Sequence, residues 1–310
     1  MKAKKVYEMI DPYASEEISG MDLDVSYKKK LIEDWCQKWL KDVDYNIDKN
    51  LKIQVYGYVL LDNTDVVYLP DNMHIFGILD ISSTKIKRLP ENLILENGLF
   101  AIDSLLEDLT NTLTLNGALD LSGSNVKVIP QNLSLITGSL NLDNTPIEKL
   151  PEKFEITNNF NISNTGIKKL PDSLSVNNLI ASNNRNLYEL SEKLSINGSL
   201  NINNTPIKKL PDSILKHKYS FNGDLILNTT QISELPKNLR TINGHLDLRN
   251  TLIKKINNNM NIRGNLLLEN TKITHLPENL SVVGDLHLNN NKIKWPDSLN
   301  VGASIIYPKI

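Results

Sequence analysis

The sequence predicts a solenoid, a chain wound through about twelve short turns that stack one upon the next. Three observations predict it. The unit L-P-x-x-L-x-[VI]-x-G-x-L-x-[LI]-x-x-T-x-I-x-x recurs with a period of 20 residues, as along 69–88, 170–176 and 198–211. Glycines keep its phase at Gly57, Gly77, Gly98, Gly117, Gly138, Gly198, Gly223, Gly244, Gly264 and Gly284, ten of the fourteen in the chain, which chance does not arrange. Prolines close successive units at Pro70, Pro90, Pro130, Pro151, Pro171, Pro211, Pro236, Pro277 and Pro296.

Each part of the unit has a physical reason. After the glycine, alternating apolar residues such as Leu200 and Ile202, or Leu246 and Leu248, have a strand's period of two, so they point inward and their neighbours outward. The glycine allows a close approach that a side chain would block. An Asn-Thr pair then marks the turn out of the strand at 63–64, 144–145, 164–165, 204–205, 250–251 and 270–271. Asparagine tolerates left-handed geometry and a threonine hydroxyl satisfies nearby backbone groups, so a ladder of small polar residues is expected there. The Leu-Pro step favours an extended, polyproline-like return. A 20-residue period leaves no room for a long helix.

This unit resembles the bacterial short-repeat class of leucine-rich repeats, the repeat domain of the YopM/IpaH type, whose unit runs L-P-x-x-L-x-x-L-x-V-x-x-N-x-L-x-x. The resemblance covers residues 51–296. It implies a leucine-rich-repeat solenoid: a curved right-handed stack with a parallel β-sheet on the concave face, an extended convex side and an N-terminal helical cap. It further implies a non-catalytic protein-interaction scaffold of bacterial or phage type, one that would modulate host or competitor proteins. The alternative it carries is an effector delivered into a eukaryotic host cell. Several units depart from the pattern: the ladder residue is usually Thr, with Asn at Asn291, and the third repeat (99–110) lacks its proline. The seventh repeat (177–190) is irregular, and the ninth carries an insertion around 216–220. The ubiquitin-ligase domain of the IpaH class has no counterpart, since the single cysteine, Cys36, falls in the N-terminal segment.

A stack of repeats exposes apolar core at its ends unless capped. Residues 1–50 carry no repeat, and 26–41 read as an amphipathic helix with Tyr27, Leu31, Trp35 and Trp39 at i, i+4 spacing. That helix either caps the first repeat with its tryptophans or binds a partner. At the other end Trp295 replaces a repeat leucine, and 297–310 read as a closing half-turn.

The composition, 40% hydrophobic and 23% charged with net charge -2, is that of a water-soluble globular chain, and its weak overall field names no partner. One cysteine excludes an internal disulfide framework, and five scattered histidines lack metal-ligand spacing, so neither metal nor cofactor is expected. No apolar stretch has the length of a signal peptide or a bilayer span, which predicts a protein that is cytoplasmic where it is made. No P-loop, dinucleotide glycine pattern, nucleophile elbow or metal motif is present, and no enzyme is expected.

A partner is expected on the outward side chains of the strands, placed one, three and five residues beyond each glycine. The N-terminal third offers Tyr58, Leu60, Asp62, Ile78, Asp80, Leu99, Asp103, Asp120 and Asp143, an acidic set with apolar and aromatic members. Such anchors beside charge suit a protein interface, unless the cap folds over them and buries them internally. The middle of the face is rich in amides. A secondary, mixed-charge set lies towards the C-terminus: His245, Asp247, Arg249, Glu269, Asp285 and His287. In the turns, Lys87, Arg88, Lys127, Lys168, Lys169, Lys208, Lys209, Lys254 and Lys255 form a basic edge, which raises nucleic acid as an alternative partner. The edge lacks interleaved aromatic residues for stacking on bases, and turn lysines commonly serve only to solvate a surface, so a protein partner is favoured.

Overall fold

The computed structural model describes residues 24–215, 218–289 and 293–307. Most of the N-terminal half of the expected cap (1–23), the centre of the expected insertion (216–217), Asn291 and the last residues of the tail (308–310) lie outside the described residues.

The alternating leucines form the strands the period predicts. Thirteen short strands, from Val59–Leu60 to Ile305–Ile306, pair in parallel and in chain order. The first inward residues of the first twelve lie in register, running Val59, Leu79, Leu99, Leu119, Leu140, Phe160, Leu179, Leu200, Leu225, Leu246, Leu266 and Leu286. Each of these is at most 1% exposed, so one continuous apolar rod runs through the stack.

The return path is extended at its Leu-Pro steps, but it is also paired. The L-x-[VI] segment before each glycine makes a second strand, as at Met73–Ile75 and Thr241–Ile242, and these form a second parallel ladder. That ladder is interrupted: five strands, then two pairs, then five. Single 3-10 turns at Gln131–Leu133 and Asp212–Ile214 lie near two of the interruptions. Each turn of the solenoid is therefore held on two sides.

The corners explain the asparagines and threonines. Asn63, Asn144, Asn164, Asn204, Asn250 and Asn270 all have φ between 54° and 59°, the left-handed region where a short polar side chain is tolerated. The hydroxyl of the following threonine then donates to the carbonyl three residues back: Thr64 to Leu61 (2.6 Å), Thr145 to Leu142 (2.7 Å), Thr205 to Ile202 (2.7 Å) and Thr251 to Leu248 (2.6 Å). Ser104 does the same to Ala101 (2.8 Å). In the irregular seventh repeat Asn184 fills this position, fully buried, with its amide donating to the Ile162 carbonyl (2.7 Å). A second left-handed corner, at Asn72, Asn92, Asn259 and Asn279, precedes the second ladder. There the amides link turn to turn, Asn92 to Asn72 and Asn279 to Asn259, each at 2.9 Å.

The N-terminal helix α1 (Val25–Trp39) is a cap. Trp35, Cys36 and Leu40 join the core, and the Trp35 indole N–H donates to the Tyr68 carbonyl (3.1 Å). Tyr27, expected on the same apolar stripe, is 42% exposed and does not join the core. After α1, strand β1 (Tyr45–Ile47) pairs antiparallel with β2 (Ile53–Val55) and closes the open edge of the second ladder. At the far end Asn300–Val301 and Ile305–Ile306 add one more strand to each ladder, so the tail is a further turn where a half-turn was expected.

Candidate functional site

Side chains leave the 13-stranded face at three positions per strand, and the register decides which. At the second position stand Leu60, Asp80, Phe100, Asp120, Asn141, Asn161, Ile180, Asn201, Ile226, Asp247, Leu267, His287 and Ile306. The glycine spacing misplaces the third repeat. Gly98 pairs with Ala118 and itself takes the first outward position, so Leu99 pairs with Leu79 and Leu119 and is fully buried. Phe100 is the residue that faces out. The inward alternation Leu99-x-Ala101 fixes the register, because a slip of one residue would turn every leucine of the strand to solvent. Asp103 is corrected too: it sits at the left-handed corner, φ 49°, and not on the strand face.

Most acids and amides at the second position have work inside the fold. The threonine of one turn occupies the carbonyl at the strand end, and the N–H of the next strand's third outward residue then bonds to the side chain two residues before it. Asp80 Oδ1 accepts from Ser82 N (2.9 Å), Asp120 Oδ1 from Ser122 N (3.0 Å) and Asn141 Oδ1 from Asp143 N (3.1 Å). The same cap recurs from Asn161 to Ser163 (3.0 Å), Asn201 to Asn203 (3.1 Å) and Asp247 to Arg249 (3.0 Å). Asp120 also accepts from the Ser122 hydroxyl (2.6 Å) and the Asn141 amide (3.1 Å), and Asp143 accepts from the Asn164 amide (2.7 Å). Where an Asp or Asn stands there, its oxygen makes the cap and the charge is surplus to the turn; Phe100, Ile180, Ile226 and Leu267 hold the same position without one.

The secondary set is bound up with itself. Asp247, 4% exposed, is gripped by Arg249 through Nε (3.0 Å) and Nη2 (2.6 Å), and that bond holds the guanidinium above its ordinary pKa against the opposing effect of burial. Glu269 lies 3.3 Å from His287. His245 Nδ1 accepts from Asn265 N (2.9 Å), and Asp285 accepts from Ser304 N (3.1 Å).

The N-terminal third is different. Tyr58 and Leu60 are 59% and 62% exposed, with Ile78 and Phe100 half-buried beside them. Among the described residues the cap does not cover this patch, and no lysine or arginine pairs with Asp62, Asp80, Asp120 or Asp143. Across the glycine ridge the patch continues in residues the sequence reading missed. Tyr56 stacks on Phe76 (centroids 5.2 Å apart), and Phe76 stacks on His74 (4.1 Å). His74 in turn meets Glu96 at 2.8 Å. The Asn116 amide (2.7 Å) and then His74 hold the Glu96 carboxyl below its ordinary range. Tyr56 and Phe76 immediately precede Gly57 and Gly77, and recognition of the second strand would have placed them facing out.

The basic edge is exposed throughout, and three of its nine residues are paired. Arg88 meets Asp108 (3.3 Å), Lys169 meets Asp172 (2.9 Å) and Lys209 meets Glu192 (3.4 Å). The Lys169–Asp172 hydrogen bond raises the lysine's pKa and lowers the aspartate's. Among the described residues no three His, Cys, Asp or Glu side chains gather to hold a metal ion, and no helix is long and apolar enough to cross a membrane.

No family model matches the chain, and no curated protein matches it. Among solved structures, YopM from Yersinia enterocolitica WA-314 aligns over 89% of this chain and 87% of its own, at 16% identity and a TM-score of 0.26. At that score the assignment of fold rests on the ladders themselves. By its two parallel ladders, its threonine corners and its N-terminal helix, the chain is a solenoid of the leucine-rich-repeat type with a helical cap.

Proposed function

We propose that the chain is a protein-binding scaffold, without chemistry of its own, that holds its partner on the N-terminal third of the 13-stranded face. One observation carries this reading: Tyr58 and Leu60 stand more than half exposed in a row with Asp62 and Asp80, which have no described cation beside them. Aromatic and aliphatic anchors next to unpaired charge are what a protein partner can desolvate and neutralise. The later strands offer less, because Asp247 is paired with Arg249 and Glu269 lies beside His287.

The test is retention of binding proteins from cell lysates by the wild-type chain and by three variants. Asp62→Asn with Asp80→Asn removes charge and keeps the oxygen that caps Ser82. Tyr58→Ser with Leu60→Ser removes the anchors. Lys254→Gln with Lys255→Gln alters the basic edge as a control. A partner lost from the first two and kept by the third is the expected result. Retention unchanged by the first two would refute the assignment to this third of the face.

A further inference from the structure

Val59–Leu60 is the first of the 13 strands, so it has a neighbour on one side only. Val59 N–H donates to the Ile78 carbonyl and Leu61 N–H to the Asp80 carbonyl, both at 2.8 Å. In a parallel ladder the alternate residues then direct their peptide groups the other way, which here means Tyr58, Leu60 and Asp62. Among the described residues no backbone hydrogen bond reaches them on that side. The cap closes the second ladder through β1, and its last backbone bond to this turn is Tyr56 N–H to the Asp44 carbonyl (2.8 Å). Val43 packs by Gly57, and there the cover ends.

Two details of sequence keep this edge open. In six later strands an Asp or Asn at the second outward position takes the N–H two residues on; here Leu60 holds that position, so the Asp62 N–H has no such cap. Natural sheets protect an exposed edge with lysine, proline, a bulge or a covering segment. This edge shows instead tyrosine, leucine and aspartate, with Asp65 also exposed just beyond.

We propose that the edge receives a strand: an extended segment of the partner protein, with alternating apolar and basic side chains, pairs with Tyr58–Asp62 and lengthens the 13-stranded sheet by one. This rests on the protein-binding reading above and specifies how the partner is held. Main-chain hydrogen bonds supply the attachment, and alternate side chains supply the selection. On the outward side of the added strand, apolar groups lie against Tyr58 and Leu60. Lysine or arginine answers Asp62, Asp65 and Asp80. A second copy of this chain docking through the same edge would add acid to acid, which argues for a different, basic partner.

The probe is a blocked eight-residue peptide of alternating valine and lysine, titrated into the isotope-labelled full chain, with a valine–glutamate peptide as its counterpart. In the free protein the amides of Leu60 and Asp62 exchange fast and those of Val59 and Leu61 slowly. With the lysine peptide bound, exchange at Leu60 and Asp62 slows at least about tenfold, whereas the glutamate peptide binds at least about tenfold more weakly. Leu60→Pro removes an outward N–H that the internal ladder does not use, and lowers affinity at least about tenfold, while Leu60→Val does not. Should Leu60→Pro disturb the fold, seen as lost protection at Leu119 and Leu140, the wild-type exchange data decide alone. Binding that shifts Asp120 and Asn161 without protecting Leu60 and Asp62 would overturn the edge pairing and leave the face reading intact. No binding at millimolar peptide overturns the edge proposal alone, since the face reading is judged by the retention of partners. Self-association of the free chain that Leu60→Pro abolishes would assign the edge to a second copy and also overturn it.

Discussion

Replacement of Thr205 by valine isolates one rung of the threonine ladder. The side chain is 3% exposed, and its hydroxyl donates to the Ile202 carbonyl at 2.7 Å, with no other donor to that oxygen among the described residues. Valine keeps the branched shape and deletes the donor. The carbonyl is then left buried and unsatisfied, a change that costs about 1–3 kcal/mol, so about 2 kcal/mol is expected. Thr205→Ser keeps the donor and loses one methyl group, about 0.8 kcal/mol. The expected order of stability is therefore wild type, then serine, then valine. Equilibrium unfolding in urea reads this directly: at a slope near 3 kcal/mol per molar, the valine midpoint falls by about 0.7 M with the slope unchanged. A valine variant as stable as wild type, or more stable than the serine variant, would refute the assignment of the ladder to backbone satisfaction.

Two other outcomes follow from the same geometry. A Cβ added at Gly77 would lie 2.2 Å from the Gly57 carbonyl oxygen, whereas one at Gly57 meets only Val43 at 3.2 Å. Gly77→Ala should therefore lower the thermal midpoint sharply and Gly57→Ala little; equal losses would contradict the close stacking of glycine on glycine. Burial, and after it Glu33, raises the Cys36 thiol to about 12, so the folded chain holds it neutral while the unfolded chain ionises near 9. Stability from this group is complete below pH 9 and is lost as pH rises towards about 12. Alkylation of Cys36 should be slow at pH 8 and track unfolding when urea is added. Rapid alkylation of the native chain would show that α1 does not dock as described.

The fold was legible because the solenoid repeats its own instructions. Glycine, leucine and threonine recur for reasons that each act within one turn or between adjacent turns, so a reader needs no long-range contact to place them. The second ladder was hidden for a physical reason as well: L-x-[VI] is too short to show a strand's alternation, and the neighbouring proline suggested an unpaired path. Glycine spacing misplaces Leu99 and Asp103 because the leucines, and not Gly98, set the register. The aspartates of the face could be found but not interpreted, since an aspartate that caps Ser82 or Ser122 and one that meets a partner look alike in sequence. Asp62 stands one position further along its strand, equivalent to Ser82, and with Leu60 at the capping position its N–H receives no such cap.

The interruptions of the second ladder bear on mechanics. On one side the turns are joined by an unbroken series of thirteen strands, and on the other by blocks of five, two, two and five. Such a body yields more readily on the segmented side. Stress concentrates at the three joints between blocks, two of them near Gln131–Leu133 and Asp212–Ile214 and the third between Glu155–Ile156 and Ser175–Val176. A large partner gripping the continuous side would thus bend the rod at fixed places along its back, and the strained joints, rather than the gripped surface, would be where a protease first found the chain.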